Sequence, residues 1–323
     1  MKAASIAQGR APRLLLAALL CAAVSAMGTA FAQAGTPLRV GVLTDADSLP
    51  LLVARDDGFF KKAEADVELV KFKTAIERDA ALQSGAVDGA VSDLLALVLA
   101  NQGGFAIKAT SLTDGRYGLV AAPNSRIESA AELGDVAVGI SSKTVIQYAA
   151  ETMEAKAGVS RDRIRGLAVP NMQVRMELLF SGQLEAACLP EPLLSVVCAK
   201  GAHLLAASDD SGLGAGIIAF SKTALDTRLS DIAAFYRGYA AAAAAIDAKS
   251  DSYRGYLVDK AGFPAEARDA FRFVVYREPR LPTEENIDAA VAWLKAKAIL
   301  SADAKIATAD LVDGRPLPAS SAR

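Results

Sequence analysis

The feature that most constrains this chain is a short pattern it carries twice. LQSGAVDGAVSD (82–93) and LFSGQLEAACLP (179–190) share one order of residue types: a helical end, Ser-Gly, an apolar residue, an acid, a small residue, Ala and an apolar residue. The two Ser-Gly pairs begin at Ser84 and Ser181, 97 residues apart. Glycine after a helix ends it in the left-handed conformation, and the small residues that follow fit a strand entering a sheet. A unit repeated at that distance predicts two similar α/β lobes.

The flanking sequence supports this. LRVGVLT (38–44), VELVKF (67–72), GAVSD (89–93) and AIKATSL (106–112) read as strands, with helical patterns beginning at Ser48, Ala75 and Asp93. DVAVGI (135–140), GLAVP (166–170) and EAACLP (185–190) repeat the plan, each followed by a helix. Such alternation predicts a parallel sheet covered on both faces. From Thr223 onward helix follows helix: DTRLSDIAAFYRGYAAAAAAIDA, YRGYLVDKAG, EARDAFRFV and TEENIDAAVAWLKAKAI. This tail is expected to wrap back onto the first lobe.

The N-terminus bears on location. Lys2, Arg10 and Arg13 precede an apolar run from Leu14 to Met27, and Ala30-Phe31-Ala32 and Ala32-Gln33-Ala34 are candidate cleavage sites. This is the pattern of a secretory signal peptide, and it falls short of the roughly 20 apolar residues that span a bilayer. A lipoprotein signal ending at Cys21 is disfavoured by Leu19 and Leu20, where small residues belong. Removing Lys2, Arg10 and Arg13 takes the formal charge from −2 to −5. A mildly acidic chain with no basic cluster is a poor nucleic-acid binder. Cys188 and Cys198 remain; an exported pair is compatible with a disulfide. However, one falls in a strand and the other near the end of the next helix, where Cα atoms closer than about 7 Å are not expected. Free thiols are the favoured reading.

Reactive groups are few. His203 is the only histidine, at a strand start after a helix, which argues against a histidine-dependent triad or a multi-histidine metal site. There is no G-x-S-x-G, P-loop or G-x-G-x-x-G after a strand. No catalytic residue, metal or cofactor is expected, although a paired-carboxylate hydrolase remains open. The candidate site lies instead where parallel strands end and helices begin, because free amides and the helix dipole face the crevice there. These turns supply Asp45, Asp47, Ser48, Thr74, Arg78, Ser92 and Asp93 in the first lobe. The second supplies Ser141, Ser142, Thr144, Asn171 and Glu191, with Tyr117 where the chain changes lobes. The competing reading makes Ser48, Ser142 and Asp93 helix caps, pairs Arg78 with Glu77 or Asp79, and buries Met172, Met176 and Leu179 as core.

VGVLTDADSLPLLVARDDGFFKKAEADVELVKF followed by SGAVDGAVSD resembles the start of the substrate-binding proteins of ABC importers, in the sulfonate/nitrate/thiamine-precursor group called NMT1/THI5-like. SGQLEAACLPEP, LPTEENIDAAVAWL (281–294) and DLVDGRPLP (310–318) are similar to the same group. The resemblance implies a periplasmic binding protein fold of type II: two α/β lobes with a ligand cleft between them and a helical C-terminal tail packed on lobe 1. It divides the chain into a signal peptide (1–34), the N-terminal part of lobe 1 (35–113), lobe 2 (114–212) and the return to lobe 1 with the C-terminal helices (213–323). Crossovers are placed near Ser111–Tyr117 and Ser208–Gly216. It implies a monomeric periplasmic receptor delivering a small ligand, such as a sulfonate or a pyrimidine, to an inner-membrane ABC permease. Within it, GFF marks the far, packing end of the first helix and TDADS the functional end. Lys73, Arg78, Arg116, Lys143 and Arg175 offer positive charge, whereas Asp45, Asp47, Asp93 and Glu191 oppose a purely anionic ligand; a zwitterionic or mixed polar ligand fits that balance. An enzyme on the same fold, of the THI5-like or menaquinone-pathway type, and a ligand-sensing partner of a membrane receptor are the alternatives.

Overall fold

The computed structural model describes residues 36–210 and 213–318, so the expected signal peptide lies outside the described residues. Ten strands form two sheets of five. The first sheet holds β1 (Leu38–Val42), β2 (Val67–Lys71), β3 (Gly89–Asp93), β4 (Ile107–Leu112) and β10 (Gly216–Ser221) in the order β2-β1-β3-β10-β4. The second holds β5 (Tyr117–Ala121), β6 (Ala137–Ile140), β7 (Arg165–Ala168), β8 (Ala186–Pro190) and β9 (His203–Ala207) in the order β7-β6-β8-β5-β9. The orders correspond strand for strand, and the duplicated segment contributes the central strand of each, β3 and β8. Gly85 and Gly182, at φ of 73° and 72°, make the same left-handed turn before those strands.

The sheets are mixed, which corrects the expectation of all-parallel pairing. β10 runs antiparallel to β3 and β4, and β5 runs antiparallel to β8 and β9. The physical reason is the route of the chain. It leaves sheet 1 after Leu112 and enters sheet 2 at Tyr117; it leaves sheet 2 after Ala207 and re-enters sheet 1 at Gly216. Each arriving strand is inserted from the far side of the crossing.

Helices α1 (Leu49–Asp56), α2 (Phe59–Lys62), α3 (Ala75–Gln83), α4 (Leu94–Gln102), α5 (Val145–Lys156), α6 (Met172–Phe180) and α7 (Leu193–Ala199) cover the sheets. At the start of α3, Thr74 Oγ1 accepts from Glu77 N–H and a Glu77 carboxylate oxygen accepts from Thr74 N–H, both at 3.2 Å. This reciprocal cap satisfies two amides that a helix start otherwise leaves free. The long helix α8 (Leu229–Ala248) presents Phe235, Tyr236 and Tyr239 to the first lobe. Phe60, from the GFF turn, is buried and stacks on Phe235 with ring centroids 5.5 Å apart, so that turn is a packing element. Helix α9 (Glu284–Ala296) packs on α4 through Ile287, Ala290 and Leu294. The expected helix EARDAFRFV is helical only over Ala267–Ala270. Beyond it, residues 271–282 run as a strap without regular structure. Arg277 and Arg280 in this strap donate to the Asp114 carboxylate at 2.9 and 2.6 Å, tying it to the first crossover.

Cys188 is buried and Cys198 half-buried, and both are free thiols. Burial pushes the Cys188 thiol up to about 12. No helix among the described residues is long and apolar enough to cross a membrane.

Candidate functional site

A narrow cleft with a cavity volume of about 40 Å³ lies between the lobes. Its walls are the turns at the carboxyl ends of the strands. Lobe 1 contributes Leu43, Asp45 and Asp47 after β1, Lys73, Thr74, Ala75 and Arg78 after β2, and Val91, Ser92 and Asp93 on β3. Lobe 2 contributes Tyr117, Ser141, Thr144, Val145 and Ile146, together with Pro170, Met172, Arg175 and Pro190.

On the lobe 1 wall, Arg78 is already engaged. Its Nε and Nη2 donate to one oxygen of Asp79 at 2.9 and 2.8 Å, and Nη2 also reaches Ser92 Oγ at 3.2 Å. Burial alone would lower its pKa; Asp79 and Asp93 outweigh that and raise it. Asp47 accepts from Tyr117 O–H at 3.0 Å and from Thr113 O–H, so it ties the first loop to the crossover. Burial, with Asp45 beside it, pushes Asp47 up to about 7. Asp45 is raised as well, mainly by burial. Asp93 accepts from Ala96 N–H at 2.9 Å, capping α4, and from Val145 N–H of the opposite lobe at 3.1 Å. Burial and then Asp79 push it up to about 6.

The lobe 2 wall carries the opposite charge. Arg175 is fully buried, yet its guanidinium donates only to main-chain oxygens: Val169 at 2.8 and 3.0 Å, Cys188 at 2.8 Å and Pro170 at 3.5 Å. No carboxylate among the described residues pairs with it, and burial lowers its pKa to about 10. On the same wall, the buried Ser141 Oγ has no hydrogen-bond partner. Buried polar groups are normally satisfied, so this wall is set for a ligand acceptor.

Of the expected residues, Asp45, Asp47, Thr74, Arg78, Ser92, Asp93, Tyr117, Ser141 and Thr144 line the cleft. Ser48, Ser142, Asn171 and Glu191 stand away from its wall. Ser48 Oγ turns inward to accept from Leu43 N–H at 3.3 Å, and its own N–H donates to Asp45 at 3.0 Å, so it does not cap α1. Thr144, rather than Ser142, caps α5 through Ile146 N–H at 3.2 Å. Asn171 is spent capping α6. Glu191 is buried against Arg116 and Ser195, each at 2.8 Å. Met172, expected in the core, packs against the lobe 2 core and also lines the cleft, and Arg175, expected to offer positive charge, reaches the wall from the first turn of α6. The signal for Arg175 was its place in the first turn of the helix that follows β7. Tyr148 packs edge-on against Trp293 at 5.8 Å and is not on the wall. His203 is exposed at the start of β9. Among the described residues no group of three or more His, Cys, Asp or Glu is placed to hold a metal.

Two sheets of matching order, two crossings and a cleft at their strand ends define the periplasmic binding protein fold. Residues 45–199 match the model of the family described as NMT1/THI5 like. Solved structures of the same fold include the ligand-binding component of an ABC-type import system from Staphylococcus aureus with zinc bound. It is 16% identical, with a TM-score of 0.72 over 86% of this chain and 97% of the other. The periplasmic aliphatic sulphonate binding protein SsuA from Escherichia coli is 15% identical, with a TM-score of 0.71 over 86% and 92%. The desulfurization enzyme DSZB is 14% identical, with a TM-score of 0.63 over 86% and 97%. These likenesses establish the fold and no more. No curated protein sequence matches the chain.

Proposed function

We propose that the chain is an exported, monomeric solute receptor that captures a small polar organic ligand in the periplasm and delivers it to an ABC permease. One observation carries this reading. The cleft wall holds a fully buried guanidinium without a carboxylate and a buried hydroxyl without a partner, Arg175 and Ser141. Leaving a buried hydroxyl such as Ser141 Oγ unpaired costs on the order of 1–3 kcal/mol, and the Arg175 charge is met only by main-chain oxygens; a ligand acceptor would satisfy the first and offset the second. Because both lobes contribute wall residues, ligand contacts favour the closed arrangement over the open one. A permease that recognises closed receptors would then read occupancy.

An enzyme on the same fold is the competing reading, and the Asp45–Asp47 pair is the feature that would serve one. The cleft wall offers no histidine or cysteine nucleophile among the described residues, which favours capture. Native mass spectrometry of the mature protein purified from a periplasm, before and after mild denaturation, tests this. A small molecule released and rebound without change in mass supports the receptor. An empty protein with no thermal shift from sulfonates, pyrimidines, amino acids or short peptides overturns it.

A further inference from the structure

Lobe 1 lines the cleft with three buried aspartates alongside the cations Lys73 and Arg78, whereas the charge lobe 2 presents is Arg175 alone. Arg175 on lobe 2 has no carboxylate partner, and Ser141 Oγ on the same wall has no hydrogen-bond partner. Across the cleft, Asp45, Asp47 and Asp93 are buried, and none of them forms an ion pair with a described residue. Their partners are neutral donors: Ser48 N–H for Asp45, Thr113 and Tyr117 hydroxyls for Asp47, Ala96 and Val145 amides for Asp93. The one nearby cation buried on that wall, Arg78, is taken by Asp79.

Resting on the receptor reading, we infer that the ligand is a small zwitterion. Its anionic group sits against Arg175 and Ser141, and its cationic group against Asp45 and Asp47. Buried charges without partners are driven toward their neutral forms, and both walls behave so. Burial raises Asp45, raises Asp47 to about 7, and lowers Arg175 to about 10. A ligand carrying one charge of each sign relieves both walls at once. A simple anion satisfies lobe 2 and leaves the carboxylates facing it; a simple cation does the reverse.

This assignment has a sign that can be read in solution. A cation arriving at Asp45 and Asp47 ionises them further, so binding releases protons near pH 6.5. An anion lacking the cationic group favours the protonated forms and takes protons up. The charged groups facing the pair are Arg78, which holds Asp45 down, Asp114, which raises Asp47, and Lys73 and Asp93 on the same wall. The hydroxyls of Tyr117, Tyr239 and Tyr276 stay protonated, being raised far above neutral pH by burial. None of these changes the direction.

Calorimetry with matched pairs tests the inference: taurine against propane-1-sulfonate, 3-aminopropanesulfonate against butane-1-sulfonate, and β-alanine against butyrate. At least one zwitterion is expected to bind tenfold or more tighter than its partner. Titrations in buffers of different ionisation enthalpy should show proton release for it at pH 6.5. Asp45→Asn should bring the ratio toward one. Equal binding within every pair, proton uptake with the zwitterion, or no binding by any member overturns the inference. A co-purified molecule bearing a single charge would overturn the zwitterion while leaving the receptor standing. Absence of any captured or bound molecule would overturn both.

Discussion

Asp93 on lobe 1 and Val145 on lobe 2 are joined across the cleft: the amide at the start of α5 donates to Asp93 Oδ2 at 3.1 Å, while Oδ1 caps α4 at 2.9 Å. One carboxylate thus holds the N-termini of two helices that belong to different lobes. Negative charge at a helix N-terminus is stabilising, and here the same charge also holds the lobes together.

Asp93→Ala removes that link. The ligand-free protein should open, with a larger radius of gyration in small-angle scattering than the unaltered chain. Ligand affinity should fall about tenfold, corresponding to about 1.4 kcal/mol, which is the scale of a hydrogen bond to a charged group. An unchanged radius of gyration would show that the link does not hold the closed state.

A second link lies at the outer end of α5. Trp293 Nε1 donates to Glu151 at 3.1 Å and Lys297 Nζ donates to the same carboxylate at 2.9 Å. Trp293 is the only tryptophan, and α9 carries it on the lobe 1 side. Its emission should therefore report closure. Glu151→Ala should shift the emission maximum to longer wavelength in the ligand-free protein. Ligand that recloses the lobes should move it back; emission indifferent to both would disprove the role.

Stability should fall as pH rises from 5.5 to 8.5. Asp47 is raised from 3.8 to about 7, Asp93 from 3.8 to about 6 and Glu154 from 4.5 to about 8, burial being the largest cause in each. Between these values the folded chain binds more protons than the unfolded one, so raising pH favours unfolding. Both Glu154 carboxylate oxygens are buried without a hydrogen-bond partner. Glu154→Gln should therefore raise the melting temperature at pH 8.5 and change it little at pH 5.5. A melting temperature flat or rising across this range would contradict the assignment.

Gly115 lies where the first crossover passes Asp47. A Cβ there would stand 1.9 Å from Asp47 Oδ2, closer than any packing allows. Gly115→Ala should cost about 1–3 kcal/mol, the scale of overpacking, measured as a lower denaturant midpoint. Adding Asp47→Ser should recover part of the loss, because the two sites share one contact and their effects do not add. Strict additivity would place the strain elsewhere.

Much of the architecture was legible because its signals are local. The Ser-Gly turns at Ser84 and Ser181 depend on residues a few positions apart, whereas the packing role of the GFF turn came from the family resemblance, and the Thr74–Glu77 cap was not read at all. What misled were features that depend on distant partners. Ser48 has the type of a cap, yet the bend at Asp45 turns its hydroxyl inward. Glu191 stands at a strand end, yet Arg116 from the crossover draws it away from the wall. EARDAFRFV has helical spacing, but the strap that follows is anchored by Asp114 and is drawn out of the helix.

The sequence by itself determined two α/β lobes, their central strands and the turns that supply the cleft, because hydrophobic periodicity and glycine turns act over short range. Only the tertiary structure decided which strands run antiparallel, which polar side chains reach the cleft, and that Arg175 and the aspartates face each other across it. Those outcomes depend on where the chain crosses between sheets and on what each charge finds when it arrives. Contacts of that kind, between residues up to about two hundred positions apart, leave no pattern in the neighbouring sequence.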